Sequence, residues 1–102
     1  MQGTSKMSGE YIVEDIAVDK QTFRRLVFLS NQFIVQSEAL MKISRDKNKP
    51  KMMVDFGYLA CQHHIFMIIG ILTSLRIVNG KKSLIIGLGG GGLCNFINRY
   101  IK

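Results

Sequence analysis

The sequence predicts an α/β fold: an N-terminal antiparallel β-unit, then a helix, a strand, a glycine loop and a second helix. Three observations carry this. Apolar residues alternate with period two from Tyr11 to Val18. A wholly apolar run, Leu84-Ile85-Ile86, then enters the glycine cluster Gly87-Leu88-Gly89-Gly90-Gly91-Gly92. Beyond it Leu93, Phe96, Ile97, Tyr100 and Ile101 fall at i, i+3, i+4, i+7 and i+8, the apolar stripe of one helix.

Residues 1–10 are polar, lack the apolar core of a signal peptide, and read as a disordered tail. The β-unit is expected at 11–41. Its first strand runs through Ile12, Ile16 and Val18, with Glu14 breaking the apolar face. Asp19-Lys20-Gln21 is a polar turn, and Arg24 to Leu29 a second strand. Ser30-Asn31 turns the chain by bonding its own backbone. Phe33-Ile34-Val35-Gln36 is a third short strand, completing a meander of about three strands.

Residues 42–55 form a basic linker. Lys42, Arg45, Lys47, Lys49 and Lys51 stand against Asp46, and Pro50 stops any helix there. No aromatic residue lies among these charges to stack a base, so the linker reads as a solvated loop rather than a nucleic-acid site. The whole chain, 102 residues with net charge +7, is otherwise sparse in acids.

Phe56 to Leu75 holds no charged residue, and a helix is expected at about 56–77, ended by Asn79-Gly80. A bilayer span is the alternative. Its continuous apolar core, Ile65 to Leu72, is short for that, and Gln62, His63 and His64 interrupt the segment, so a buried helix is the better reading. Cys61 and His64 share a helix face, but a metal site needs further ligands, and Cys94 is a thin supply. No metal is expected. Cys61 reads as a packing residue and one histidine as cleft-lining. Two unpaired cysteines without a signal peptide point to a reduced, cytoplasmic setting.

A strand is then expected at about 82–87, buried on both faces as in a parallel sheet, and a helix at about 92–101. The glycines sit where strand becomes helix. Glycine there accepts positive φ and lets a ligand reach the backbone, while the helix start offers unpaired N–H groups. Gly87, Gly89 and Gly92 fit G-x-G-x-x-G, the dinucleotide pattern; Gly87, Gly89 and Gly91 equally fit G-x-G-x-G, the S-adenosylmethionine pattern of Rossmann-like methyltransferases. Spacing does not choose between them. A tight turn with no ligand is the third possibility. A P-loop is excluded, because no Gly-Lys-Ser/Thr follows.

Four stretches in order extend the reading. They are Phe23-Arg24-Arg25-Leu26-Val27-Phe28-Leu29-Ser30-Asn31-Gln32, Val35-Gln36-Ser37-Glu38-Ala39, Tyr58-Leu59-Ala60-Cys61-Gln62-His63-His64, and Ile86-Gly87-Leu88-Gly89-Gly90-Gly91. Over residues 11–102 the chain resembles the C-terminal, spermidine-synthase-like domain of the elongation factor 1-alpha lysine and N-terminal methyltransferase family. The resemblance implies that residues 56–102 begin a Rossmann-like core, incomplete here. It implies that S-adenosylmethionine binds at Gly87, Gly89 and Gly91, with main-chain contacts from Leu88 and Gly90. It also implies elongation factor 1-alpha as the protein substrate and a homodimer as the assembly. Polyamine synthases carry Asp where Gly90 stands, so polyamine chemistry is not implied. The acidic residue that would hold the ribose hydroxyls is expected beyond Lys102, so the chain reads as a fragment, inactive alone. Catalytic residues cannot be named from it. A non-catalytic interaction module and a small membrane-anchored protein are the competing functions.

Overall fold

The computed structural model describes every residue except Lys47, Gly80, Lys81 and Lys102. Five strands form one sheet in the order β1 (Gln2–Ser5), β2 (Gly9–Val18), β3 (Gln21–Phe28), β4 (Val35–Ile43) and β5 (Met52–Val54), each antiparallel to the next. Helix α1 spans Gln62–Ile77 and α2 spans Gly92–Tyr100. The molecule is therefore α/β, with the antiparallel β-unit first.

The sheet is larger than its periodicity suggests. Residues 1–10, expected as a disordered tail, supply β1 and the start of β2, paired from Gln2↔Ile12 to Ser5↔Gly9. At the β2–β3 turn Asp19 and Lys20 both take positive φ, 47° and 67°, the conformation of a two-residue hairpin that follows the twist of its strands. The third strand lies later than expected. Phe33 stands fully exposed outside it, and β4 runs on to Ile43 because Thr22↔Met41 and Phe23↔Leu40 continue its ladder with β3. Both ends of the expected linker 42–55 join the sheet, Lys42 and Ile43 in β4 and Met52–Val54 in β5.

Among the described residues few apolar side chains are buried: Phe23, Met41, Ile68 and Leu93, each still 6–9% exposed. Phe23 packs its ring 6.1 Å from that of Tyr58, tying the sheet to the chain leading into α1. Removing a buried phenylalanine side chain costs about 3–5 kcal/mol, so Phe23→Ala is expected to abolish cooperative thermal unfolding. An unchanged midpoint would remove Phe23 from the core.

Helix α1 begins later than the expected residue 56. Gly57 donates its N–H to Asp55 Oδ1 in a turn, and Cys61 remains extended as the N-cap. The helix closes at Ile77, with the Val78 N–H on Ser74 O, before Asn79-Gly80; Gly80 lies outside the described residues. It is not the buried helix expected. Ile68 is buried, but Phe66, Ile69 and Ile77 face outward. The expected strand at 82–87 is also corrected. Lys82 to Leu88 is irregular, with Leu84 and Ile86 exposed. Among the described residues every strand pair is antiparallel and none includes this run, so it has no parallel neighbour there to receive its backbone hydrogen bonds. Helix α2 follows the expected stripe except at Tyr100: Leu93 is buried and Phe96, Ile97 and the C-cap Ile101 are partly buried, whereas Tyr100 is exposed, and Asn95, Asn98 and Arg99 face water.

Candidate functional site

The glycine cluster forms the turn into α2. Gly87, Gly89 and Gly91 have φ of 86°, 55° and 75°, a region closed to most side chains, whereas Gly92 is already helical. The requirement for glycine thus falls on the first, third and fifth positions of G-x-G-x-G. Gly91 N–H donates to Leu88 O at 2.9 Å, closing the turn. The Gly91 carbonyl then accepts from the Asn95 backbone N–H at 3.0 Å and from Asn95 Nδ2 at 2.9 Å. Gly91 is the N-cap and has no side chain to cap with, so the N–H groups of the first helical turn lack an intrahelical partner. They carry the positive end of the helix dipole.

This turn overlooks a cavity of about 490 Å³ between the β-unit and the start of α1. Gly87, Leu88, Gly89, Gly90 and Gly92 line one side; Gly91 sits behind them, buried at the helix cap. The opposite wall comes from β3 and β4: Arg25, Leu26, Gln36, Ser37, Glu38 and Ala39. Cys61, His63 and His64 close the end at the start of α1. A second cavity, about 650 Å³, lies between α1 and residues 82–88, and the two histidines border both.

Charges in the first cavity are paired. Arg25 donates to Glu38, its cross-strand neighbour, and both are half-buried. Arg24 grips Asp15 through Nε and Nη2 at 2.7 and 2.8 Å. Lys42 reaches Asp55 at 2.8 Å; that hydrogen bond, helped by the Gly57 N–H, holds the Asp55 carboxyl below its usual range.

The His63 and His64 rings meet edge to face, centroids 4.4 Å apart. Burial, then the neighbouring His63, pushes His64 below its ordinary value of 6.5. It is therefore neutral at pH 7. A depressed pKa means the unfolded chain takes up its proton first on acidification. His64 thus contributes stability present above about pH 6.5 and lost as pH falls through the lower folded value. His64→Gln is expected to flatten the fall in thermal midpoint between about pH 7 and 5, a window above the carboxylates. An identical pH profile in the variant would count against this.

Cys61 and Cys94 are both free thiols. Among the described residues, no three His, Cys, Asp or Glu side chains group as metal ligands, and no helix is long and apolar enough to cross a membrane.

Of the expected site residues, the structure brings Gly87 to Gly90 to the cavity and puts Gly91 beneath them. The β4 wall, with Gln36, Ser37 and Glu38, was not assigned a role from the sequence; those residues stood out there only in the family resemblance.

Relatives carry the same segment. The chain is 50% identical over 104 residues to the eEF1A lysine and N-terminal methyltransferase homolog of Drosophila pseudoobscura pseudoobscura, covering 96% of this chain and 16% of that protein. To the homolog of Drosophila melanogaster it is 47% identical over 102 residues, covering 94% of this chain and 15% of that protein. To the eEF1A lysine and N-terminal methyltransferase of Homo sapiens it is 36% identical over 126 residues, covering 97% and 18%. The chain is thus homologous to one segment of these proteins and spans less than a fifth of their length. No family model and no solved structure matches it.

Proposed function

We propose that this chain is the opening part of the cofactor-binding half of an S-adenosylmethionine-dependent protein methyltransferase that acts on elongation factor 1-alpha. The observation that carries the reading is the glycine turn, with positive φ at Gly87, Gly89 and Gly91, above a cavity, in a segment whose relatives are named eEF1A methyltransferases.

The residues present suit such a cofactor. Beyond its chain neighbours Ile86 and Leu88, a Cβ at Gly87 would meet nothing among the described residues within 4 Å, so the open side of the turn is free for a ligand. The uncapped amides of α2 offer donors to its polar groups. Gly87, Leu88, Gly89 and Gly90 would face it, with Gly91 holding the turn in shape. When bound, S-adenosylmethionine supplies an electrophilic methyl group. The protein's part is to hold that group in line with the accepting amine, a matter of positioning. Residues 56–102 belong to the cofactor half in this reading, and 11–41 to a β-unit that walls the cavity. The cytoplasm is the proposed location. Homodimerisation fits the many exposed apolar side chains on α1 and residues 84–88; sedimentation showing only monomer at micromolar concentration would exclude it.

The test uses a chimaera in which this chain replaces the matching segment of the full-length Drosophila melanogaster relative. Titration calorimetry with S-adenosylmethionine is expected to show saturable binding. A folded chimaera that binds none, beside a relative that does, would overturn the assignment.

A further inference from the structure

We propose that Ser37 of β4 is the positioning residue of the glycine turn, and that it dictates glycine at position 90. A Cβ built on Gly90 would lie 2.6 Å from Ser37 Oγ and 3.1 Å from Ser37 Cβ. Rotating the hydroxyl away relieves the first contact. The second involves Cβ, which no rotamer moves, so a side chain at 90 must shift the turn from the strand by a few tenths of an ångström.

An independent feature of β4 aims Ser37 there. The β3–β4 register runs Leu26↔Ser37 and then Val27↔Val35, so Gln36 is an extra residue, a bulge beside Ser37. A bulge bends its strand and redirects neighbouring side chains. Ser37 is half-buried in the cavity wall, with Gln36 and Glu38 beside it. Gly90 therefore differs from its neighbours. Gly87, Gly89 and Gly91 need glycine for their backbone angle; Gly90, with no such angle, needs it because Ser37 occupies the space. The β-unit thereby sets the depth at which the turn's free face meets the cavity. The consequence for ligand binding rests on the cofactor reading above.

The experiment is a double-variant cycle of Gly90→Ala and Ser37→Gly, with Ser37→Ala as an intermediate. In the 102-residue chain, Gly90→Ala is expected to lower the thermal midpoint by roughly 5 °C. At least half of that drop should vanish beside Ser37→Gly, and less beside Ser37→Ala, which keeps Cβ. If Gly90→Ala does not fold, folding of the double variant supports the interlock. The same drop in all three backgrounds, or a double variant as unfolded as Gly90→Ala, overturns it. A second arm reads S-adenosylmethionine affinity in the chimaera. Gly90→Ala is expected to weaken binding at least tenfold and Ser37→Gly to restore most of it, a recovery that loss of stability alone would not produce. Restored midpoints with unrestored affinity overturn the positioning role. If the unaltered chimaera binds no cofactor while the thermal coupling is present, the cofactor reading fails and Ser37's placement of the turn stands.

Discussion

Gly89→Val in the chimaera is expected to abolish S-adenosylmethionine binding. Gly89 has φ of 55°. A residue with a Cβ pays roughly 1–2 kcal/mol to hold such an angle, and a β-branched one fares worse, since its second branch crowds the same backbone. That strain alone corresponds to about a 5- to 30-fold loss of affinity if binding needs the observed turn. The valine also adds bulk on the side from which a ligand approaches, beside Gly87 and Gly90 in the cavity wall. The two effects act together, so calorimetry should detect no heat of binding. Circular dichroism on the same sample guards the interpretation. A folded variant with unaltered affinity would show that the glycines make a turn and nothing more.

The turn was legible in the sequence because its signal is local. Three glycines two apart, between an apolar run and a helical stripe, announce positive φ at a helix start, and the structure has it at Gly87, Gly89 and Gly91. Helix α2 was legible for the same reason, from the spacing of Leu93, Phe96, Ile97, Tyr100 and Ile101, although Tyr100 stays exposed. The central strand β2 showed through its period of two, and β3 through its β-branched and aromatic run between two turns. What escaped was set by partners far along the chain. Gln2-Gly3-Thr4-Ser5 has no apolar residue to mark it as a strand; it forms β1 because β2 offers a free edge. Ser37 meets Gly90 through a bulge that no periodicity reveals. The run Leu84-Ile85-Ile86 gave the opposite error. Its composition is that of a strand between two neighbours, yet composition does not supply the neighbours, and the run stays unpaired. The exposed face of α1 has the same cause: an apolar helix is buried only when a layer lies on each side.

That unpaired run leads to the second expectation: the 102-residue chain by itself transfers no methyl group to elongation factor 1-alpha. A Rossmann-like core lays its cofactor across the carboxyl ends of several adjacent parallel strands. Among the described residues every strand pair is antiparallel, and the segment before the glycine turn pairs with none. The turn alone offers about three uncapped amides, each worth roughly 0.5–1.5 kcal/mol net. Association costs an estimated 4–15 kcal/mol in lost freedom, so these contacts do not hold the cofactor at working concentrations. The substrate amine fares no better. The acids in the first cavity, Glu38 and Asp55, are already taken by Arg25 and Lys42, leaving no free carboxylate there to draw an ammonium group in. Helix α2, with nine residues, is too short to be stable on propensity and depends on Leu93 remaining packed. The measurement is transfer of labelled methyl from S-adenosylmethionine to purified elongation factor 1-alpha, with the chimaera as the positive control. Label above background from the chain alone would mean that one glycine turn and its β4 wall suffice to hold both reactants, and the case for needing the parallel strands would fall.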